Sequence, residues 1–299
     1  MKITITGTSG FVGQNLTNFL IGQSHQVASL SMRNTTWISQ IDLESDALIH
    51  LAGKAHDTSN TAEASEYFDI NTTLTKVLFD VFLESNIKDF IYFSSVKAVA
   101  DTVEGVLYEE VIGRPMTPYG QSKLQAEQYL ISKTLPEGKR LLIIRPCMIH
   151  GPGNKGNLNL LYKIVNKGIP WPLAAYDNKR SFLSIDNLNF LIYQLLINKN
   201  VKSGVYNFAD DKSLSTNELV RLIASASNKQ AKLWSINKKF MDTIAIIGDK
   251  VGLPLNTERL KKLTENYKVS NSKIKKALGI ENLPYSASEG LKKTVTSFK

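Results

Sequence analysis

A single cysteine, Cys147, stands among 299 residues, so no internal disulfide can form. One thiol suits a reducing compartment. Cys147 lies within an apolar run, where a buried, inert thiol is expected. Long apolar runs are also missing. The nearest candidate, LLIIRPCMI at 141–149, is broken by Arg145 and Pro146 and is far shorter than the roughly 20 residues a membrane helix needs. The N-terminus, MKITITG, alternates like a strand and lacks the apolar centre of a signal peptide. These absences predict a cytoplasmic protein with no integral membrane segment. Histidines number only four and none has zinc-like spacing, so no catalytic metal is expected. No period of about 20–50 residues repeats, which excludes a solenoid.

Acidic residues are in deficit, 27 against 36 basic, giving a net charge of +9. Three partner classes compete for such a charge: nucleic acid, an anionic membrane surface or a phosphorylated small ligand. Lysines crowd the C-terminal part (Lys261, Lys262, Lys268, Lys273, Lys275, Lys276). They alternate with acidic neighbours over helical segments and read as a solvated face. No RNA-binding signature or aromatic–basic interleaving is present, so no nucleic acid is expected.

In the first half, short apolar β-branched segments alternate with helical ones. Strands are expected at 2–6, 26–30, 47–52, 90–95 and 141–146, and helices at 12–21, 66–85 and 119–133. A full helix is not expected between strands two and three. This pattern predicts a Rossmann-type, doubly wound parallel α/β sheet. After His150 the texture turns loop-like and proline-punctuated, with helices expected at 186–197, 215–227 and 256–264 and a short strand within 203–210. The expected division is a dinucleotide-binding domain over 1–150, to which 180–200 returns. A smaller mixed α/β substrate-binding region covers 151–179 and 201–299.

TGTSGFVG at 6–13 places Gly7, Gly10 and Gly13 at the first strand-to-helix turn. Gly7 suits the tight turn, Gly10 a close approach to a pyrophosphate, and Gly13 helix–sheet packing. The helix start offers free N–H groups to the anion. Ser9, Phe11 and Val12 complete this cofactor loop. Strand two ends in ASLSMRN, without the carboxylate that usually meets an unmodified ribose. Arg33 stands there instead and tilts the expectation from NAD toward NADP; stacking on adenine or facing water is its competing role. Asp42 and Leu43, ahead of strand three, are expected to border the adenine.

TPYGQSK at 117–123 sets Tyr119 and Lys123 four apart, on one helix face. A free tyrosine, with a pKa of about 10, is a poor base. A neighbouring ammonium favours its phenolate, making Tyr119 a candidate general acid/base. A hydroxyl at the end of strand four, Ser95 or failing that Ser94, can bind the same substrate oxygen.

Together TGTSGFVG, HLAG (50–53), Asn71, FSS (93–95), YGQSK (119–123), RPCMIHGPG (145–153) and RSFLSIDNL (180–188) resemble the extended short-chain dehydrogenases/reductases. Within them the chain is similar to the nucleotide-sugar epimerase/dehydratase group, which acts on UDP- or dTDP-sugars. The resemblance implies Tyr119, Lys123, Ser95 and Asn71 as the catalytic set, Asn71 supporting the lysine. It implies Leu51, Ala52, Gly53, Ser94, Lys123 and Pro146 at the cofactor. It implies Ser95, Met148, Asn157, Trp171, Leu173 and Arg180 at the substrate, with Arg180 on the diphosphate and Trp171 and Leu173 beside the uracil. A homodimer through helices 66–85 and 119–133 is a further implication. Three positions depart from the pattern. KAVAD at 97–101 replaces a common Tyr–Gly pair. Met148 replaces an asparagine of some 4-epimerases. Val96 and Lys97 replace the acidic pair of dehydratases, which argues against dehydration. The expected activity is a UDP-hexose or UDP-N-acetylhexosamine 4-epimerase. The alternatives are an NADPH-dependent 4-reductase of a UDP-4-keto-6-deoxy sugar and a dinucleotide-sensing regulator on the same fold.

Overall fold

The computed structural model describes residues 1–54, 63–154, 157–252 and 255–298, Asn157 by its backbone alone. The chain opens with β1 (Lys2–Thr6), α1 (Phe11–Gly22), β2 (Gln26–Leu30) and β3 (Ala47–His50). A helix follows in two parts, α2 (Ala64–Phe68) and α3 (Leu74–Glu84), joined by a π-helical stretch at Asp69–Thr73. Next come β4 (Asp89–Phe93), β5 (Val106–Leu107), α4 (Pro118–Ser132), β6 (Arg140–Pro146) and β7 (Met148–His150). Then follow α5 (Asn157–Asn166), β8 (Phe182–Ser184), α6 (Ile185–Ile197) and β9 (Gly204–Phe208). The remainder holds α7 (Thr216–Ala226), α8 (Lys238–Val251), α9 (Thr257–Thr264), β10 (Lys268–Val269), α10 (Ser272–Leu278) and α11 (Ala287–Thr296).

Six strands pair in parallel in the order β2-β1-β3-β4-β6-β9. β3, β4 and β6 are buried along their whole length, as their near-continuous apolar sequences require when helices cover both faces. The period of two divides their side chains. Ile49, Ile91 and Ile144 pack with Leu16 and Leu20 of α1 and Leu188 of α6. Leu48, Phe90 and Ile143 pack with Phe79 and Phe82 of α3 and Leu130 of α4. The order reverses at β1, because β2 lies on one side and β3 on the other. The crevice beyond the C-terminal ends of β1 and β3 is therefore a topological switch point, where open α/β sheets bind ligands.

α6 packs on the sheet through Leu188, Leu191 and Ile192, and only a 3-10 turn at Trp37–Gln40 links β2 to β3, where no full helix is expected. The division of the C-terminal part is corrected. β9 pairs with β6 from Leu142↔Gly204 to Pro146↔Phe208, because the buried β6 would otherwise leave a row of backbone groups unpaired. Ile274 of α10 joins the same core as α6. The rest of the C-terminal part has its own core, built around Leu219, Ile223, Met241, Leu260 and Leu291. Among the described residues no helix is long and apolar enough to cross a membrane.

Candidate active site

α4 starts where its sequence dictates. Thr117 accepts from the Gly120 amide at 3.2 Å, and Pro118 fills the first turn, where its missing N–H is not needed. Thr117 also donates to Asp101 at 3.3 Å, and Asp101 takes the Met116 amide at 2.6 Å. The helix presses against the turn after β4: a Cβ on Gly120 would lie 2.4 Å from the Lys97 carbonyl. This closeness sets Tyr119 near Ser95. Ser95 is fixed in turn by capping the short helix Val96–Ala98, accepting from the Lys97 amide at 3.1 Å.

Lys123 lies one turn along α4 and is buried. Its ammonium donates to the Phe93 carbonyl at 2.8 Å and sits 5.0 Å from the centre of the Tyr92 ring. Burial lowers its pKa to about 8, and Glu127, a turn further on, opposes the drop. Burial raises the Tyr119 pKa above the ordinary tyrosine value. The Ser95 hydrogen bond pulls it back, and Tyr67, edge-on at 6.3 Å, adds to the rise. The Lys123 ammonium is directed at Phe93 and Tyr92, and Ser95 opposes the rise that burial causes at Tyr119.

Asn71 sits in the π-helical stretch and is fully buried. Its Oδ1 accepts from the Lys54 amide at 2.8 Å. Its Nδ2 donates to the Lys54 carbonyl and to Ser122 Oγ, both at 3.1 Å. Asn71 thus ties the loop after β3 to α4. A Cβ on Gly53 would meet Asn71 Oδ1 at 2.9 Å and Lys123 Nζ at 3.2 Å, so the glycine lets these groups converge.

Ser94 and Ser95 part ways. Ser94 turns inward and donates to Glu127, which Arg145 grips with Nε at 3.0 Å and Nη2 at 2.5 Å. Sequence reasoning missed Glu127, although its i+4 spacing from Lys123 puts it on the same helix face. It also missed Tyr67, Asp101 and Ser122. No pattern in the sequence marks these, because each reaches the site through tertiary packing. His50 is structural. It bridges Thr6 at 2.7 Å and Thr75 at 2.9 Å, and burial lowers its pKa to about 3.

The cofactor loop has the required shape. Gly7 has φ +73°, and a Cβ on it would strike the Ala52 amide at 2.7 Å. The loops after β1 and β3, and with them Leu51, Ala52 and Gly53, therefore lie against each other. A Cβ on Gly13 would lie 2.2 Å from the Gly7 carbonyl. α1 has no side-chain cap and no acidic residue in its first turn, so its N–H groups are available to an anion. Ser9 is exposed, and Phe11 and Val12 are half-buried against the core under α1. Arg33 is exposed just past β2. Pro146 closes β6, and Met148 is exposed two residues on. The glycine loop, Arg33 and Pro146 fit a nicotinamide dinucleotide along the switch point.

Other expected contacts do not converge here. Asp42 pairs with Lys2 at 2.5 Å, and Leu43 accepts the Asn86 amide at 3.2 Å. Both mark the starting edge of the sheet, a strand length of about 16 Å from the glycine loop. Trp171 and Leu173 are buried in the C-terminal core, held by backbone pairing with Leu233 and Ser235. Arg180 pairs with Glu265 at 2.9 Å, the ion-pair alternative to a ligand contact. Asn157 begins α5; its side chain lies outside the described residues.

Fold and site together are those of an NAD(P)-dependent extended short-chain dehydrogenase/reductase of the epimerase and reductase type. The chain belongs to the NAD dependent epimerase/dehydratase family, whose model matches residues 3–209. It is 30% identical to a UDP-glucose 4-epimerase of Vibrio cholerae, over 99% of this chain and 95% of that protein. It is 28% identical to the N-acetyl-α-D-glucosaminyl-diphospho-ditrans,octacis-undecaprenol 4-epimerase of Escherichia coli O157:H7, over 98% and 94% of the two chains. The structure of a UDP-N-acetylglucosamine 4-epimerase from Bacillus cereus superposes with a TM-score of 0.78, at 21% identity, over 99% of this chain and 98% of that one.

Proposed function

We propose that the protein is a 4-epimerase of diphosphate-linked hexoses, with UDP-hexose or UDP-N-acetylhexosamine as the first substrates to test. The observation that carries the reading is the placement of Tyr119 at the start of α4 and Ser95 just past the end of β4 beside buried Lys123, at the C-terminal edge of the sheet. A dinucleotide held by Gly7–Gly13, Arg33 and Lys123 supplies hydride acceptance and return. Tyr119 takes the proton from the sugar C4 hydroxyl and later gives it back. Ser95 donates to the same oxygen and keeps it aimed at Tyr119. Lys123 holds the nicotinamide ribose, and Asn71 fixes the loop and helix on either side of it. Val96 and Lys97 offer no carboxylate for proton abstraction at C5, which keeps the chemistry at C4.

Two observations favour narrower readings. Arg33 stands where the ribose-binding carboxylate is usual, which suits NADPH-dependent reduction of a 4-keto sugar. Trp171 and Leu173 are core residues rather than a uracil platform, which suits a sugar whose diphosphate is carried by a polyprenol, like that in the name of the Escherichia coli relative. The test incubates the protein with UDP-glucose, UDP-N-acetylglucosamine, a UDP-4-keto-6-deoxy sugar and a polyprenyl-diphosphate N-acetylhexosamine, with NAD or NADPH. Products are read by NMR. Axial–equatorial exchange at C4 without net cofactor consumption is expected. No change in any sugar would overturn the enzyme reading and leave a dinucleotide sensor.

A further inference from the structure

α8 buries Met241, Ala245 and Gly248 against the C-terminal core and leaves exposed a flank about 100° round the helix from them. That flank carries Phe240, Ile247 and Val251, which are 58%, 49% and 64% exposed. Their spacing aligns them in one stripe. Lys239 and Lys250 stand about a quarter-turn round the helix from it. α9 packs alongside, and the groove between them is lined by Ala245, Ile246, Leu260 and Lys261. Ile246 is 51% exposed. Between residues 238 and 264 six basic residues face three acidic ones. The acidic ones are engaged within the fold: Asp242 by Tyr176, Asp249 by the Thr257 amide and Glu258 by Lys262. Among the described residues Lys239, Lys250 and Lys261 have no acidic partner.

We infer that the exposed flank of α8 is a docking surface for an anionic lipid bilayer. An apolar stripe edged by lysines on a short helix is the pattern of a segment lying in the plane of a lipid–water interface, with the apolar side chains among the acyl chains and the lysines at the headgroups. A second copy of this chain fits the face poorly, because a two-fold contact would set its unpaired lysines against each other. The surface also leads to the site. α9 is followed directly by Glu265, the partner of Arg180. Two residues on, Tyr267 donates to the carbonyls of Val96 at 3.2 Å and Ala100 at 2.7 Å, in the turn that Ser95 caps. This deepens the polyprenol reading above and rests on it only for the identity of the substrate.

The test is flotation of the full chain with vesicles. Binding is expected with phosphatidylglycerol mixed into phosphatidylcholine, release is expected in high salt, and no binding is expected with phosphatidylcholine alone. Each lysine at an anionic surface contributes about fivefold in affinity, so Lys239→Ala/Lys250→Ala should bind about thirtyfold more weakly. Phe240→Glu/Ile247→Glu should not float, while its circular dichroism and its turnover of a water-soluble sugar nucleotide stay as in the parent. Absence of flotation, equal flotation on both vesicle types or flotation indifferent to both double variants would overturn the proposal. So would a dimer in light scattering that Phe240→Glu/Ile247→Glu dissociates, which would assign the face to a second copy. Vesicle binding needs no turnover. A protein that floats but leaves polyprenyl-linked sugar unchanged would refute the polyprenol reading alone.

Discussion

The two edges of the parallel sheet use the same residue types to opposite ends. At the starting edge the charges of Asp89, Arg140 and Lys199 are consumed by the fold. Asp89 receives Arg140 at 2.9 and 3.0 Å and Lys199 at 2.5 Å. The other Arg140 hydrogens go to the carbonyls of Leu195, Asn198 and Val201. At the finishing edge an inner layer closes in the same way, with Arg145, Glu127 and Ser94 bound to one another. A second layer stands on it: Ser95, Tyr119 and Lys123, whose donors and acceptors border the crevice. Buried ion pairs are therefore no mark of a site in this fold. What distinguishes the finishing edge is that its closed layer supports groups still able to meet a ligand.

The comparison breaks most sharply at Tyr119. Tyr119→Phe should lower kcat by about 10³–10⁴-fold while dinucleotide affinity, read by fluorescence titration, stays within about twofold. Asp89→Ala should do the reverse. It strands a buried guanidinium and should cost about 3–5 kcal/mol in urea unfolding, with kcat/KM of the folded protein unchanged. Glu127→Gln tests the inner layer of the finishing edge. Lys123 is charged below about 8 and loses its proton as pH rises through that value. An activity that needs the ammonium therefore falls on the alkaline side. Glu127 holds the lysine pKa up, so Glu127→Gln should move the alkaline limb of kcat/KM to lower pH. An unmoved limb would separate the two layers. The smallest effect is expected at Asp42. Its exposed pair with Lys2 contributes about 0.5 kcal/mol or less, and Asp42→Ala should leave cofactor affinity unchanged.

The sheet was legible because its strands are short, apolar and punctuated by turns, and because Gly7, Tyr119 and Lys123 keep fixed spacings within single elements. β9 was harder to place, since SGVYNFAD carries a strand pattern but nothing that says which strand it joins. Asp42 misled because it is near β3 in sequence, whereas the sheet runs it to the far edge. Trp171 misled because an aromatic beside prolines reads alike as a platform or as core, and only the packing of Leu233 and Leu219 around it decides. Glu127 was legible in principle from its spacing. Its role depends on Arg145, which arrives from a different strand.

The π-helical stretch at Asp69–Thr73 makes the site sensitive to chain length as well as to side-chain chemistry. It accommodates one more residue in a turn than α2 and α3 do on either side. Deleting a single residue there would let the helix run straight from Ala64 to Glu84 and rotate the earlier part by about 100° relative to the later. Tyr67 would swing off Tyr119, and the Asn71 amide would lose its grip on Lys54, Ser122 or both. A shortened helix of ordinary regularity would thus be better formed in itself and no longer part of a catalytic site.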